Sequence, residues 1–217
     1  MKLERMDDFF AARIDGYDEH MRTTIEGASD FYAYTAALLP SEKGARVLDL
    51  GCGTGLELEE YFRLNPEADV TGIDLSEAML NALKEKFPDR SIRLVLGSYF
   101  DVPFGENAFD AAVSVESLHH FPAEQKEQLY QKLHAALRDG GCFVLTDYFA
   151  ESEALEEEYF RNLKQLKAEQ GLPEDGFFHY DTPLTVGHEM QVLRQAGFSD
   201  VRILQEWGTT FTLIAKR

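Results

Sequence analysis

Val47-Leu48-Asp49-Leu50-Gly51-Cys52-Gly53-Thr54-Gly55 decides how this chain reads. A short apolar run ends in an acid, three glycines alternate, and a helical pattern begins at Leu56. The order predicts a buried strand, a tight turn and a helix N-terminus, where an open α/β sheet takes a nucleotide-like ligand. Glycine permits backbone angles that strain other residues and lets a ligand approach the main chain without meeting a Cβ.

Spacing narrows the ligand. A dinucleotide fingerprint reads G-x-G-x-x-G, whereas here the third glycine comes one residue early and Leu56 stands in its place. Asp49 would repel a pyrophosphate but attract an ammonium or sulfonium. A second apolar run, Val70-Thr71-Gly72-Ile73-Asp74, also ends in an acid. A carboxylate there can accept two hydrogen bonds from a ribose diol.

On these residues the chain resembles the class I S-adenosylmethionine-dependent methyltransferases, over roughly Arg46 to Thr146 and more weakly to its end. The resemblance implies that Gly51, Cys52 and Gly53 cradle the methionine part of S-adenosylmethionine. Asp49 then helps bind the amino group and Asp74, with Leu75 beside it, the ribose. Tyr17, Ser98, Tyr99 and Glu116 complete the implied cofactor set. Ser98 stands where the family usually has an acid for the adenine amino group, and Tyr99 or Asp101 is the alternative acceptor. A Rossmann-like turn with no ligand, or with NAD, is the competing reading.

The chain has 217 residues, with 21 Lys and Arg against 39 Asp and Glu, a formal charge of −18. Such a surface repels phosphate backbones and anionic membranes, which argues against nucleic acid as substrate. The start lacks a signal-peptide core, and no apolar run of about 18 residues occurs. Cys52 and Cys142 suggest neither a disulfide framework nor a zinc site, so no metal is expected. Cytoplasmic is the natural reading.

Residues 1–40 hold two helical stretches interrupted at Asp15–Met21, with Tyr17 placed as in related lids and His20 in solvent. A helix runs from Leu56 to Leu64. Ser76 reads as the N-cap of the next, whose buried face is Met79, Leu83 and Phe87. Ser91–Gly97 and Phe109–Val115 read as strands. The second ends in Glu116-Ser117-Leu118-His119-His120-Phe121-Pro122. His119, His120 and Tyr17 are the candidates for proton transfer, each with a structural role as the alternative. Leu129, Leu133 and Leu137 mark a helix that Arg138–Gly141 terminates, before a strand from Cys142 to Thr146. Glu151–Gln170 reads as a long helix whose inner face is Leu155, Tyr159, Leu163 and Leu166. An aromatic loop over 171–180, a helix near Thr185–Ala196 and strands Val201–Glu206 and Thr209–Ala215 follow.

The expected fold is a three-layer α/β/α sandwich around a mostly parallel seven-stranded sheet with an antiparallel last strand, the Rossmann-like methyltransferase fold. It is read as one domain over 1–217, with a helical cover (1–40) and a helical insertion (147–186) that shapes the acceptor site or a homodimer surface. The expected function is methyl transfer from S-adenosylmethionine to a small-molecule acceptor. Rivals are a carboxy-S-adenosylmethionine synthase-like reaction, with Arg161 as the only arginine on the long helix, and a non-enzymatic S-adenosylmethionine-binding regulator.

Overall fold

The computed structural model describes residues 1–90 and 92–217. Three helices, α1 (Met6–Ala11), α2 (Tyr17–Thr24) and α3 (Ala28–Ala37), precede β1 (Arg46–Leu50), α4 (Leu56–Leu64), β2 (Asp69–Asp74), α5 (Glu77–Lys86) and β3 (Ile92–Leu96). Then come β4 (Phe109–Val115), α6 (Ala123–Ala136), β5 (Leu137–Tyr148), α7 (Glu153–Glu169), α8 (Val186–Gln195), β6 (Ser199–Trp207) and β7 (Thr210–Lys216).

The strands lie in the order β3-β2-β1-β4-β5-β7-β6. β7 runs antiparallel to both its neighbours, β5 and β6. Strand order reverses where β1 pairs with both β2 and β4, and a crevice opens there beyond the strand ends. Helices cover both faces, which is why β1 and β4 read as continuous apolar runs. Leu48, Leu50 and Ala112 join the core under α6 and α8, with Leu133 and Leu193. Val47, Ala111 and Val113 join the opposite core with Phe31, Tyr61 and Leu83 of α3, α4 and α5.

Several local expectations change. Tyr17–Met21 does not interrupt a helix but opens α2, so the N-terminal segment holds three short helices. Ser91 lies outside the described residues. Helix α6 stops at Ala136, and Leu137 is already extended (φ −72°, ψ 148°). It is fully buried and pairs with Phe109, so a sheet position overrides the i, i+4 spacing that suggested helix. On α7, Leu155, Tyr159, Leu163 and Leu166 are only half-buried, and the buried residue is Glu156. Its carboxylate accepts from the Thr185 amide at 2.6 Å and meets His188 Nδ1 at 2.5 Å, docking α7 on the entry to α8 through polar contacts.

Helices α6 and α8 are joined by a buried polar triad. Lys126 Nζ lies 2.5 Å from Glu189 Oε2, and the Tyr130 hydroxyl donates to Glu189 Oε1. Lys126 and Glu189 are both essentially inaccessible to solvent. Removing one member strands a charge, whereas replacing both with apolar residues can be nearly neutral. Lys126→Met should therefore cost about 3–5 kcal/mol in urea unfolding. The double variant Lys126→Met/Glu189→Leu should recover most of that loss, and equal losses would refute the pairing.

Candidate active site

The site lies past the C-terminal ends of β1, β2 and β4. After β1 the chain turns through Gly51 (φ +75°) and Gly53 (φ +49°), angles that favour glycine. A Cβ on Gly51 would lie 2.0 Å from Ser117 Oγ, so the turn packs closely on the end of β4. A Cβ on Gly53 would meet nothing nearer than 4.0 Å, leaving open space above its backbone. Asp74 braces this turn: Oδ2 accepts from the Gly53 amide at 2.9 Å and Oδ1 from the Ser76 amide at 2.8 Å. Each oxygen keeps a second lone pair. Burial raises the Asp74 carboxyl, and the backbone amides work against that shift.

Asp49 lies beneath the turn, fully buried; among the described residues no amide or hydroxyl donates to either oxygen, and the group within hydrogen-bonding reach is another buried carboxyl, that of Glu57. Burial pushes its carboxyl well above the usual range, and the buried Glu57 adds repulsion.

A cleft of about 60 Å³ opens at the turn. Gly51, Gly53, Asp74, Leu75, Tyr99 and Glu116 line it, and Tyr17 of α2 reaches in beside Met6 and Phe10 of α1. Asp49, Cys52 and Ser98 do not line it. Cys52 packs its sulfur against Gly72 of β2, and the Ser98 hydroxyl accepts from the Phe100 amide at 3.2 Å. The N-terminal helices are pinned over the cleft by Asp18, which meets Thr54 Oγ1 and Lys86 Nζ, each at 2.5 Å. Phe9 stacks on His179 with ring centroids 3.5 Å apart.

Two larger chambers adjoin the cleft and share His120 with it. One, of about 990 Å³, lies under α7 between Phe121, Phe160, Leu163 and Phe177. The other, of about 780 Å³, lies under α1 and α2 and shares Tyr17, Glu116 and His120 with the cleft. His119, Tyr148, His179 and Asp181 line it too, and exposed His20 stands at its wall.

The histidines are tightly held. His119 Nδ1 meets Asp147 Oδ1 at 2.6 Å, while Asp147 Oδ2 accepts from the Leu118 amide at 2.8 Å. Burial alone would lower His119, but the Asp147 charge prevails and lifts it to about 9. Burial and the neighbouring His119 lower His120. Burial lifts the Glu116 carboxyl to about 7, with Asp147 adding repulsion. Glu116 is left-handed (φ +49°), an outlier for a side chain of that kind, and its Oε1 accepts from Thr210 Oγ1 at 3.0 Å. Burial, with repulsion from Glu57, raises the Tyr17 phenol, so Tyr17 stays protonated and donates rather than acting as a base.

Sequence reasoning missed Met6, Phe10, Asp147, His179 and Asp181. Asp147 was within reach, because it lies one residue from the end of β5, much as Asp74 ends β2. Asp181 sits some 60 residues from the histidines it meets and carries no local signal.

The buried Asp49 sets a testable cost. Because its folded value lies above the ordinary 3.8, folding favours its protonated form, and the penalty for ionising it grows as pH rises above 3.8. Asp49→Asn should stabilise the ligand-free protein by about 1–3 kcal/mol at alkaline pH, the range for an unsatisfied buried group. The gain should fade below the ordinary carboxylate value. Urea unfolding that gives the same difference at every pH would refute this.

A methyltransferase-domain family model matches residues 47–141, from β1 to the start of the exposed-to-buried passage in β5. Cycloartenol-C-24-methyltransferase of Arabidopsis thaliana is 30% identical over 198 residues, 87% of this chain and 53% of that protein. Carboxy-S-adenosyl-L-methionine synthase of Campylobacter fetus is 21% identical over 225 residues, 98% of this chain and 95% of that protein. Human N-acetylserotonin methyltransferase superposes with a TM-score of 0.66 at 18% identity, over 97% of this chain and 56% of that one, which supports the fold. The chain spans about half the length of the sterol methyltransferases it matches. Among the described residues no helix is long and apolar enough to cross a membrane. The family match takes in the glycine turn and Asp74, at the point where strand order reverses, and on it residues 47–141 form a methyltransferase domain of the class I S-adenosylmethionine-dependent kind.

Proposed function

We propose that the protein transfers the methyl group of S-adenosylmethionine to a small-molecule acceptor. The observation that carries this reading is the joint provision at one crevice. Asp49 is a buried acid with only another carboxyl, Glu57, beside it, Gly53 has open space above its backbone, and Asp74 has lone pairs to spare. These are the requirements of an ammonium group, a close-packed aliphatic chain and a ribose diol respectively. The chemistry the cofactor brings is a sulfonium leaving group, already activated. The chain's own task is to hold an acceptor in line with the methyl carbon and keep water out.

The acceptor's reacting group belongs in the 780 Å³ chamber, because Glu116 and His120 line both that chamber and the cofactor cleft. A base is needed only where the acceptor must lose a proton early. Residues 1–40 serve as a cover. At about 60 Å³ the cleft is far below the roughly 300 Å³ of a typical ligand site, so the cofactor either extends into an adjoining chamber or displaces Met6, Phe10 and Tyr17. Residues 147–186 then form the outer wall that distinguishes acceptors.

The near full-length match to a carboxy-S-adenosylmethionine synthase favours a second reading on the same cofactor. Arg161 gives it little support, being exposed on α7 and absent from the linings of all three cavities. Arg13 does line the acceptor chamber, but Glu4 engages its guanidinium at 3.0 Å and the Phe9 ring lies under it. Mass spectrometry of ligand co-purified with the protein separates the two, because a carboxylated cofactor would be heavier than S-adenosylmethionine.

Two outcomes follow. Asp74→Ala should weaken S-adenosylmethionine binding by roughly 1.5–3 kcal/mol in calorimetric titration of a folded variant. Unchanged affinity would remove Asp74 from the site. In hydrogen exchange, S-adenosylhomocysteine should slow the amides around Tyr17 more than those of Val201–Glu206, since α2 buries none of its residues fully and opens at low cost. Equal protection with and without ligand would mean that the segment is a fixed structural element.

A further inference from the structure

We propose that His119, His120 and Asp181 form a binding site for one divalent transition-metal ion in the wall of the 780 Å³ chamber. Asp147 holds His119 Nδ1 at 2.6 Å, which leaves Nε2 as the free donor. That atom lies 3.6 Å from Asp181 Oδ1. His120 Nδ1 lies 3.3 Å from the same oxygen and 3.3 Å from the Tyr180 carbonyl. All of these are longer than the 2.7–3.2 Å usual for N–H···O bonds. They suit a shared ion: donors about 2.0–2.2 Å from one metal, spread tetrahedrally, stand about 3.3–3.6 Å apart. The three ligand atoms all fall within 4.8 Å of one another.

The surroundings fit a cation as well. Both imidazoles are buried, whereas Asp181 is half-exposed and lines the chamber with them, so a coordination position remains open to solvent or ligand. Asp147 fixes the His119 ring through its other nitrogen, the carboxylate–histidine–metal arrangement that orients a ligand. Asp147 and Glu116 supply the negative field that a divalent cation needs, and both lie within reach of His119. Two imidazoles and one carboxylate suit Zn²⁺, Co²⁺, Ni²⁺ or Fe²⁺ and disfavour the all-oxygen preferences of Mg²⁺ and Ca²⁺. The sequence points away from any metal because its cysteines lack zinc-site spacing, while these ligands come from a short 3-10 turn after β4 and a segment some 60 residues later.

The proposed role rests on the methyl-transfer reading; the binding itself does not. An ion here, with its open position on the acceptor chamber, would hold an acceptor through an anionic or readily deprotonated oxygen, such as a phenol or carboxylate.

The test is calorimetric titration of the chelator-stripped full chain with Zn²⁺ and Co²⁺, together with the visible absorption of the Co²⁺ form. Wild type should bind one equivalent of each ion, and Co²⁺ should give the intense d–d bands of a four- or five-coordinate nitrogen/oxygen site. Asp181→Asn, a half-exposed position, should fold normally, weaken Zn²⁺ at least tenfold and lose those bands. His120→Gln should do the same. Asp147→Asn should weaken binding roughly 10- to 100-fold by releasing the His119 ring. Absence of stoichiometric binding, or Co²⁺ bands and Zn²⁺ affinity unchanged in Asp181→Asn, would overturn the proposal. S-adenosylmethionine affinity, measured on wild type and on Asp181→Asn, whose residue lies outside the cofactor cleft, reports the cofactor site separately, so loss of one reading is distinguishable from loss of the other.

Discussion

The constraint that organises this molecule is the cost of burying carboxylates at the ends of adjacent strands. Asp49 on β1, Asp74 at the end of β2, Glu116 just past β4 and Asp147 on β5 converge on the crevice where strand order reverses. Each acid is desolvated, and an isolated buried charge is expensive. Asp74 is held by two backbone amides, and Asp147 by an imidazole and the Leu118 amide. Glu116 has one hydroxyl donor and a left-handed backbone, and Asp49 has only a second acid, Glu57, beside it. The series runs from satisfied to unsatisfied. The acids with least internal compensation are those with most to gain from a cationic or hydrogen-bond-donating ligand.

The N-terminal helices answer the same constraint from outside. Met6, Phe10 and Tyr17 fill the mouth of the cleft and keep bulk water off the acids. Their attachments are of a different kind from those of the sheet. For α1 and α2 they include one aspartate bridging Thr54 and Lys86, an Arg22–Glu59 ion pair, one aromatic stack on His179, and a short backbone contact in which the Met6 amide donates to the Phe177 carbonyl at 3.2 Å. The last two partners belong to the segment after α7, so the N-terminal cover and the aromatic loop meet each other as well as the site. Movement of either therefore changes the shape of both chambers.

Legibility in the sequence followed locality. The passage from β1 to α4 was readable because strand, turn and helix are contiguous and each uses residues that few other structures tolerate. Ser76 was readable as a cap, and its hydroxyl does accept from the Met79 amide at 3.4 Å. Leu137 was misread because an apolar residue four after Leu133 satisfies helical spacing and sheet pairing alike, and only the distant Phe109 decides between them. Glu156 carries no local signal, because a glutamate among glutamates looks solvated and its partners, Thr185 and His188, lie about thirty residues on. The cofactor cleft was largely anticipated in its lining, but family likeness alone could not tell which residues near the turn face inward. Cys52 and Ser98 face elsewhere for reasons of packing and turn geometry. Asp181 was beyond reach, since what it does depends on folding a loop back across the end of β4.

The acids also bear on turnover. On the proposed reaction, S-adenosylmethionine enters with a positive sulfonium, and S-adenosylhomocysteine leaves as a neutral thioether. A crevice lined by Asp74 and Glu116, with Asp49 buried beneath it, attracts the first more strongly than the second, and its low dielectric magnifies the difference. Transfer of the methyl group thus removes the interaction that held the cofactor in place. The ammonium and ribose contacts remain the same on both sides of the reaction, so they contribute affinity without discriminating substrate from product. Discrimination falls to whichever carboxylate faces the sulfur, and Glu116, which lines both the cofactor cleft and the acceptor chamber, is the acid best placed to provide it.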